Sequence, residues 1–177
     1  MNTFFLSLIM ISGIIASLYF VFHNKKPTVD LKIGSSAPIF ALLDETGTPR
    51  SLSDFKGKKV VLYFYPKDET PGCTSQACSL RDAYELYAKH NIAILGISYD
   101  SPESHAHFKE KFHLPFPLLS DSKHHVAHLY GADQHALGNL YPSRKTILIN
   151  EQGVIIHIIN DVSIDTHVDD VLKGFNI

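Results

Sequence analysis

Cysteine is scarce in this sequence, and charge of neither sign is in excess. The 177 residues include 16 Lys and Arg against 18 Asp and Glu, which gives a formal net charge of −2. This balance indicates neither nucleic acid nor an acidic surface as a partner. The sequence also lacks internal repeats and low-complexity segments, and its length is enough for one domain with a proper core.

The only two cysteines are Cys73 and Cys78. Two cysteines are compatible with a structural disulfide in an oxidising compartment or with a catalytic pair in a reducing one. Cys73 follows Thr70, Pro71 and Gly72 at the predicted junction of a buried strand and a helix. A thiol at the start of a helix lies in a positive field and ionises easily, and a second thiol about a turn and a half later can capture what the first becomes. This context favours redox chemistry on sulfur.

Basic residues are missing from the start of the chain, where residues 3–22 carry no charge and are mostly Phe, Leu, Ile, Val and Met. A run of about 20 apolar residues is long enough to cross a bilayer as a helix. A cleaved signal peptide and a buried helix are the alternatives. A signal peptide should begin with Lys or Arg and end at a small-x-small site, and neither is present. We therefore expect residues 1–23 to form an uncleaved transmembrane helix.

Lysines follow this run at positions 25, 26 and 32, and none precedes it. The positive-inside rule then places the rest of the chain in the cytoplasm rather than the periplasm. Residues 24–32 are polar and predict a linker, and we expect one domain at 33–177. The sequence thus predicts a single-pass membrane protein with a cytoplasmic catalytic domain.

Apolar runs alternate with amphipathic segments after residue 33. Residues 60–65 form a continuous β-branched and aromatic run, which predicts a central strand buried on both faces. Strands are predicted at 39–43, 60–65, 92–98, 118–119, 145–149 and 154–159, and helices at 73–90, 102–112, 122–130 and 163–173. This order predicts an α/β sandwich. The cysteine pair follows the first central strand, where an α/β sheet presents its functional crevice.

The segment 64–74 reads Phe-Tyr-Pro-Lys-Asp-Glu-Thr-Pro-Gly-Cys-Thr, and Gln-Ala-Cys follows at 76–78. Together with Arg-Asp at 81–82 and the strand after Arg144, it closely resembles the PrxQ-type peroxiredoxins, also called bacterioferritin comigratory proteins. The resemblance runs from about residue 31 to the C-terminus. It implies a thioredoxin-like α/β sandwich with a central mixed β-sheet flanked by helices, here preceded by the predicted transmembrane helix.

The resemblance also implies an activity, the thiol-dependent reduction of hydrogen peroxide and organic hydroperoxides, without a metal or an organic cofactor. Cys73 would be the peroxidatic nucleophile, and Cys78 would condense with its sulfenic acid to an intramolecular disulfide. Thioredoxin or a similar dithiol protein would reduce that disulfide, and the protein would act as a monomer. The alternative for Cys73 is a buried, inert thiol. Pro71 and Gly72 argue against it because such residues shape an exposed turn.

The resemblance assigns roles to Arg144 and Thr70 as well. An arginine at the position of Arg144 reaches the active-site sulfur in the family, and its guanidinium would stabilise the thiolate and hold the peroxide. Thr70 would orient the O–O bond through its hydroxyl. The alternatives are an ordinary surface arginine and a turn threonine whose hydroxyl bonds only backbone.

Helix geometry adds a prediction about the two thiols. Five residues of an unbroken helix rise about 7.5 Å, and the side chains diverge by about 140°. A disulfide needs Cα atoms within about 7 Å. Cys73 and Cys78 should therefore be too far apart when reduced, and the first turns of the helix must unwind to join them. A permanent structural disulfide would instead require a non-helical segment.

Two other functions use the same residues. A thiol–disulfide oxidoreductase or redox sensor generally carries C-x-x-C, whereas this spacing is C-x-x-x-x-C. A tethered binding module would keep the disulfide as a structural bond. Zinc is poorly supported because the cysteines lack short-spaced partner ligands.

Histidine is abundant, with 11 residues. His124 and His128 have the i, i+4 spacing of a metal-binding pair, but no glutamate lies between them in the H-E-x-x-H manner. We expect them to be exposed, and we also expect His105 and His107 to face solvent. No metal site is predicted.

Overall fold

A mixed β-sheet organises the domain. The structure, a computed structural model, describes residues 31–136 and 139–177. Its strands are β1 (Ala41–Asp44), β2 (Pro49–Ser51), β3 (Lys59–Phe64), β4 (Ile92–Ser98), β5 (Leu118–Ser120), β6 (Asp133–Ala136), β7 (Asn139–Pro142), β8 (Lys145–Ile149) and β9 (Ile155–Ile159). Its helices are α1 (Pro71–Asp82), α2 (Tyr84–Lys89), α3 (Pro102–Phe112), α4 (His125–Leu129) and α5 (His167–Gly174), with a 3-10 turn at Leu52–Phe55.

Seven of these strands form one sheet in the order β2-β1-β5-β4-β3-β8-β9, and β6 and β7 form a separate two-stranded antiparallel sheet. The central strand β3 runs parallel to β4 and antiparallel to β8. Leu62 accordingly lies between Leu95 on one side and Ile147 on the other. The antiparallel strand β8 follows Arg144 directly, and α1 with both cysteines follows β3.

Both faces of β3 are covered, as its continuous apolar run predicts. Side chains alternate along a strand, so Leu62 and Phe64 enter one core while Tyr63 and Tyr65 enter the other. The second core also contains Cys73, which α1 contributes. Complete burial of one such large apolar side chain stabilises the fold by about 1.5–3 kcal/mol. The packing of α1 on β3 therefore fixes the position of Cys73 relative to the sheet.

The α/β sandwich with a mixed sheet and flanking helices is confirmed for the domain. The prediction that a transmembrane helix forms part of the fold is corrected. Within the described residues no helix is both long and apolar enough for a membrane crossing. The longest of them, α1, has 12 residues, whereas a bilayer requires about 20. The segment 1–23, where that helix was predicted, and nearly all of the linker at 24–32 lie outside the described residues.

Three predicted helices begin or end elsewhere in the structure. The helix predicted at 73–90 is divided into α1 and α2 by Ala83, whose ψ of 1° departs from the helical value. The carboxylate of Asp121 accepts hydrogen bonds from the backbone N–H groups of His125 and Ala127, which delays the start of α4. The last helix starts at His167 rather than at 163. The antiparallel pair of β6 and β7 was not predicted.

Tyr63 and Tyr65 are both buried, as predicted for core residues, but their hydroxyl groups differ. The Tyr65 hydroxyl donates a hydrogen bond of 2.8 Å to the carboxylate of Asp68. The Tyr63 hydroxyl is buried and has no hydrogen-bond partner among the described residues. A buried polar group without a partner lowers stability, so the two hydroxyls should contribute to stability with opposite signs.

We expect Tyr65→Phe to lower the free energy of unfolding by about 1.5–3 kcal/mol, because it removes a hydrogen bond to a buried charged group. Tyr63→Phe is its matched control and should leave that free energy unchanged or raise it by up to about 1 kcal/mol. Urea unfolding followed by far-UV circular dichroism measures both. Equal losses for the two variants would contradict this assignment of the hydroxyls.

Candidate active site

The site begins where α1 begins. Thr70 is the N-cap residue with extended backbone (φ −73°, ψ 147°), and Pro71 occupies the first helical position. Proline suits this position because its fixed φ is already helical and its missing N–H would have no partner there. The backbone N–H of Thr74 donates to the carbonyl of Thr70 and closes the first turn. Cys73 is thus in the first turn of α1, at the positive end of the helix dipole.

Cys73 is a free thiol and only 1% exposed. The expectation that Pro71 and Gly72 keep it from tight burial is therefore wrong. Cys73, Ala77 and Leu80 lie on one face of α1, and that face packs on the sheet. Because the helix starts at Pro71 instead of at Cys73, the thiol is already inside this buried face.

Arg144 lies beside the sulfur. Its Nη2 donates to Cys73 Sγ over 3.3 Å. Arg144 precedes β8, and the register of β8 on β3 pairs Lys145 with Phe64, at the end of β3 from which the loop to α1 departs. Strand pairing therefore brings together two residues that are 71 positions apart. The structure does not place Arg144 as an ordinary surface arginine, which was the alternative.

Gly72 leaves room for this arginine. A Cβ at position 72 would lie 2.8 Å from Arg144 Nη2, closer than real Cβ contacts come. The guanidinium of Arg144 would then have to shift from the position in which it contacts Cys73. The glycine is needed for close approach, whereas its φ needs no special explanation.

Gln76 was missed by the sequence analysis. It is fully buried, and its Oε1 accepts a hydrogen bond of 2.7 Å from Arg144 Nη1. The guanidinium is therefore held between Gln76 and Cys73. The spacing gave one signal, because residues three apart share a face of a helix and Gln76 is three after Cys73.

Thr70 is near the site, but its role is not decided by its contacts. Its hydroxyl donates to the carbonyl of Lys67 over 3.1 Å and makes no hydrogen bond that caps the helix. A hydroxyl that donates to a carbonyl still has lone pairs to accept from a ligand. The contact fits both the predicted role and the alternative.

Cys78 lies on the same unbroken helix as Cys73 and is also a free, partly buried thiol. The helix is continuous from Pro71 to Asp82, so the segment between the cysteines is helical in this reduced form. An unbroken helix between Cys73 and Cys78 is the condition under which we predicted that the two thiols are too far apart for a disulfide.

A buried network supports the loop before Thr70. The carboxylate of Asp68 accepts hydrogen bonds from the hydroxyls of Tyr65 and Ser104, and it also contacts His105 Nδ1 at 2.9 Å. The backbone N–H of Asp68 donates to Asp100. The prediction that His105 faces solvent is wrong, since His105 is fully buried. His107 is exposed as predicted.

The pair His124 and His128 does not form one helix face. His124 precedes α4 with φ at 57°, and it stacks on Tyr99 with ring centroids 3.9 Å apart. His128 Nδ1 contacts the Asp133 carboxylate at 2.7 Å. In the described residues, no group of three or more His, Cys, Asp or Glu side chains is arranged to hold a metal ion.

An open cleft of about 560 Å³ is lined in part by Arg144. Arg144 lies in its wall together with Gln134 of β6, Ser143 before β8, and residues of the loop after β9: Asn160, Asp161, Val162 and Ser163. A small polar molecule can therefore approach the arginine, and the cleft carries one cation, Arg144, and one carboxylate, Asp161.

Comparisons with known proteins agree with this geometry. The AhpC/TSA family model matches residues 33–158. A bcp-type peroxiredoxin of Coxiella burnetii is 46% identical over 148 residues, which are 81% of this chain and 98% of that protein. A chloroplastic peroxiredoxin Q of Sedum lineare is 48% identical over 141 residues, 79% of this chain and 75% of that protein.

The fold is shared with a solved structure as well. The crystal structure of peroxidoxin BcpB from Mycobacterium tuberculosis superposes with a TM-score of 0.76 at 38% identity, and the match covers 82% of this chain and 97% of that one. The domain is therefore thioredoxin-like, as the sequence predicted.

The comparisons also correct the predicted location. The sequence predicted a single-pass membrane protein with its catalytic domain in the cytoplasm. The relatives are a bacterial bcp-type protein and chloroplastic peroxiredoxin Q proteins, and the described residues contain no helix able to cross a bilayer. The prediction is wrong. It rested only on the length and apolarity of residues 3–22, and signal peptides and buried helices also contain apolar runs.

The family model covers most of the domain, and the relatives share more than two fifths of their residues with it. In the site, the free thiol of Cys73 lies in the first turn of α1 and accepts a hydrogen bond from Arg144. The chain belongs to the AhpC/TSA family, and within it to the Q-type peroxiredoxins, also called bacterioferritin comigratory proteins.

Proposed function

We propose that the protein is a thiol-dependent peroxidase that reduces hydrogen peroxide and organic hydroperoxides at Cys73. The observation that carries this proposal is the 3.3 Å contact from Arg144 Nη2 to Cys73 Sγ. A cation at that distance stabilises sulfur as an anion, and the thiolate is the nucleophile that peroxide cleavage needs. We place the catalytic unit at residues 33–177.

In the first step the Cys73 thiolate attacks one oxygen of the hydroperoxide. The S–O bond forms as the O–O bond breaks, sulfur is oxidised to the sulfenic acid, and the other oxygen takes a proton and leaves as water or an alcohol. Arg144 stabilises the negative charge that develops on the oxygens, through several fixed donors. Thr70 accepts a hydrogen bond from the peroxide and aligns the O–O bond with the sulfur.

In the second step Cys78 attacks the sulfenic acid of Cys73. The disulfide forms and one molecule of water leaves. Thioredoxin or a similar dithiol protein then reduces the disulfide and is itself oxidised to a disulfide. Because both thiols belong to one helix, no second subunit is required, and we propose that the protein acts as a monomer.

Cysteine variants test the two steps. Cys73→Ser should abolish peroxide consumption with thioredoxin, because it removes the thiol that Arg144 contacts and that the first step oxidises. Cys78→Ser should still form one equivalent of sulfenic acid, detected by dimedone labelling, yet should fail to turn over efficiently. A thiol–disulfide oxidoreductase would instead reduce insulin disulfides without consuming peroxide, and that pattern in the wild type would contradict the proposal.

Arg144→Lys tests the arginine. Lysine keeps the charge but offers a single point contact in place of a planar fork, so it cannot hold Cys73 and Gln76 together. We expect the rate constant for peroxide to fall by about 10–100-fold, with the thermal midpoint changed little. Arg50→Lys, at an arginine that pairs with Asp44 on the hairpin of β1 and β2, is the matched control. Equal rates in the two variants would refute the role of Arg144.

Oxidation should unwind the start of α1. We expect the disulfide form to lose helical circular dichroism and amide-exchange protection at residues 71–78, because an intact helix keeps the two Cα atoms too far apart. The Cys78→Ser variant treated with one equivalent of peroxide is the control and should keep its helix. Identical protection in the reduced and disulfide forms would exclude local unwinding.

A further inference from the structure

His167 is a buried polar residue that the proposed reaction does not use. It is the first residue of α5 and is fully buried. Its Nδ1 lies 3.3 Å from Gln76 Nε2, and its Nε2 lies 2.9 Å from Thr146 Oγ1. We propose that His167 is a positioning residue that orients Gln76, and through Gln76 holds Arg144 at Cys73. This inference rests on the proposed peroxidase function.

The chemistry of the donors fixes the direction of each hydrogen bond from Arg144 through Gln76 and His167 to Thr146. A guanidinium can only donate, so the atom of Gln76 that faces Arg144 must be its carbonyl oxygen. The amide NH₂ of Gln76 then faces His167, and Nδ1 of the ring must accept. The ring proton is consequently on Nε2, which donates to the hydroxyl of Thr146.

This order works only with a neutral ring. An imidazolium would present N–H at Nδ1 to the NH₂ of Gln76, two donors face to face. Relief of that repulsion would turn the amide over and place its NH₂ against Arg144. Burial lowers the pKa of His167 to about 4; the nearby Asp170 opposes this shift and the positive charge of Arg144 adds to it. The ring is therefore neutral near pH 7, as the arrangement requires.

The position of the ring explains why a residue from the last helix is involved. Gln76 is on α1, the helix that carries Cys73, and Thr146 is on β8, two residues after Arg144. His167 bonds to both elements at once, so it fixes the distance between the thiol and the guanidinium. Water has no access to replace these bonds, because Gln76, Thr146 and His167 are all fully buried.

Three substitutions separate positioning from packing. His167→Asn keeps an oxygen close to the place of Nδ1 and can still accept from Gln76. His167→Gln extends further, so its amide reaches Thr146 in place of Nε2 but gives Gln76 no acceptor. His167→Leu fills the space without any polar atom. His125→Leu removes an exposed histidine from α4 and serves as control.

The measurement is the rate constant for oxidation of Cys73 by hydrogen peroxide in the full chain, by competition with a reference peroxidase, together with the thermal midpoint. We expect His167→Asn to remain within about threefold of the wild type, and His167→Gln and His167→Leu to fall by about tenfold or more. The Gln76→Met variant should show the same loss, and its combination with His167→Leu should cost no more than either alone, because both act through Arg144.

Two results would overturn the inference. One is a rate in His167→Gln and His167→Leu equal to that of the wild type and the His125→Leu control. The other is a set of rates that follows the thermal midpoints instead of the presence of an acceptor for Gln76, which would give His167 a purely structural role. If His167→Leu does not fold, the comparison of Asn with Gln decides alone. A wild type that does not react with peroxide overturns the proposed function and this inference together, whereas failure of the inference alone leaves the wild-type reaction intact.

Discussion

The site depends on one contact, that of the Arg144 guanidinium with the sulfur of Cys73. The sulfur is buried among apolar side chains, where an anion without a nearby cation costs several kcal/mol. The dipole of α1 contributes at most about 2 kcal/mol at such a position. The arginine must therefore stay within reach of the sulfur. The pairing of β8 with β3 brings it near, the missing side chain of Gly72 admits it, and Gln76 keeps it in place.

The sheet and the thiol pair could be predicted from the sequence, because both are encoded locally. Residues 60–65, 92–98 and 145–149 are apolar runs of strand length, and they lie within one residue of β3, β4 and β8. The cysteine motif is contiguous, and its resemblance to a family supplied Arg144. The predicted helix at 102–112 matches α3, where Ser101 accepts a hydrogen bond from the backbone N–H of Ser104 and Pro102 takes the first position, both local effects.

The buried polar residues could not be predicted in the same way. The spacing of His105 in an amphipathic helix predicted an exposed side chain. In the structure it is buried and contacts Asp68, which is 37 residues away in the sequence. Gln76 and His167 are 91 residues apart, and the local sequence around either residue does not indicate that they contact each other. A polar side chain is buried only when its partners are present, and those partners are brought together by the complete fold. The prediction of a transmembrane helix from residues 3–22 was wrong for the same reason, since it too was made from local composition alone.

The hydrogen bonds that link His167, Gln76 and Arg144 also constrain the order of the proposed cycle. Gln76 lies between Cys73 and Cys78 on α1, so the turns that must unwind for the disulfide include the residue that holds the arginine. Unwinding breaks the bonds of Gln76 to Arg144 and to His167 at once. In the proposed cycle, the contact of Arg144 with Cys73 would therefore exist only while the helix is intact, and the disulfide would form only after it has opened. In the cycle we propose, reaction with peroxide and resolution by Cys78 therefore belong to two different conformations of one helix, and the disulfide would have to be reduced before Arg144 returned to the sulfur.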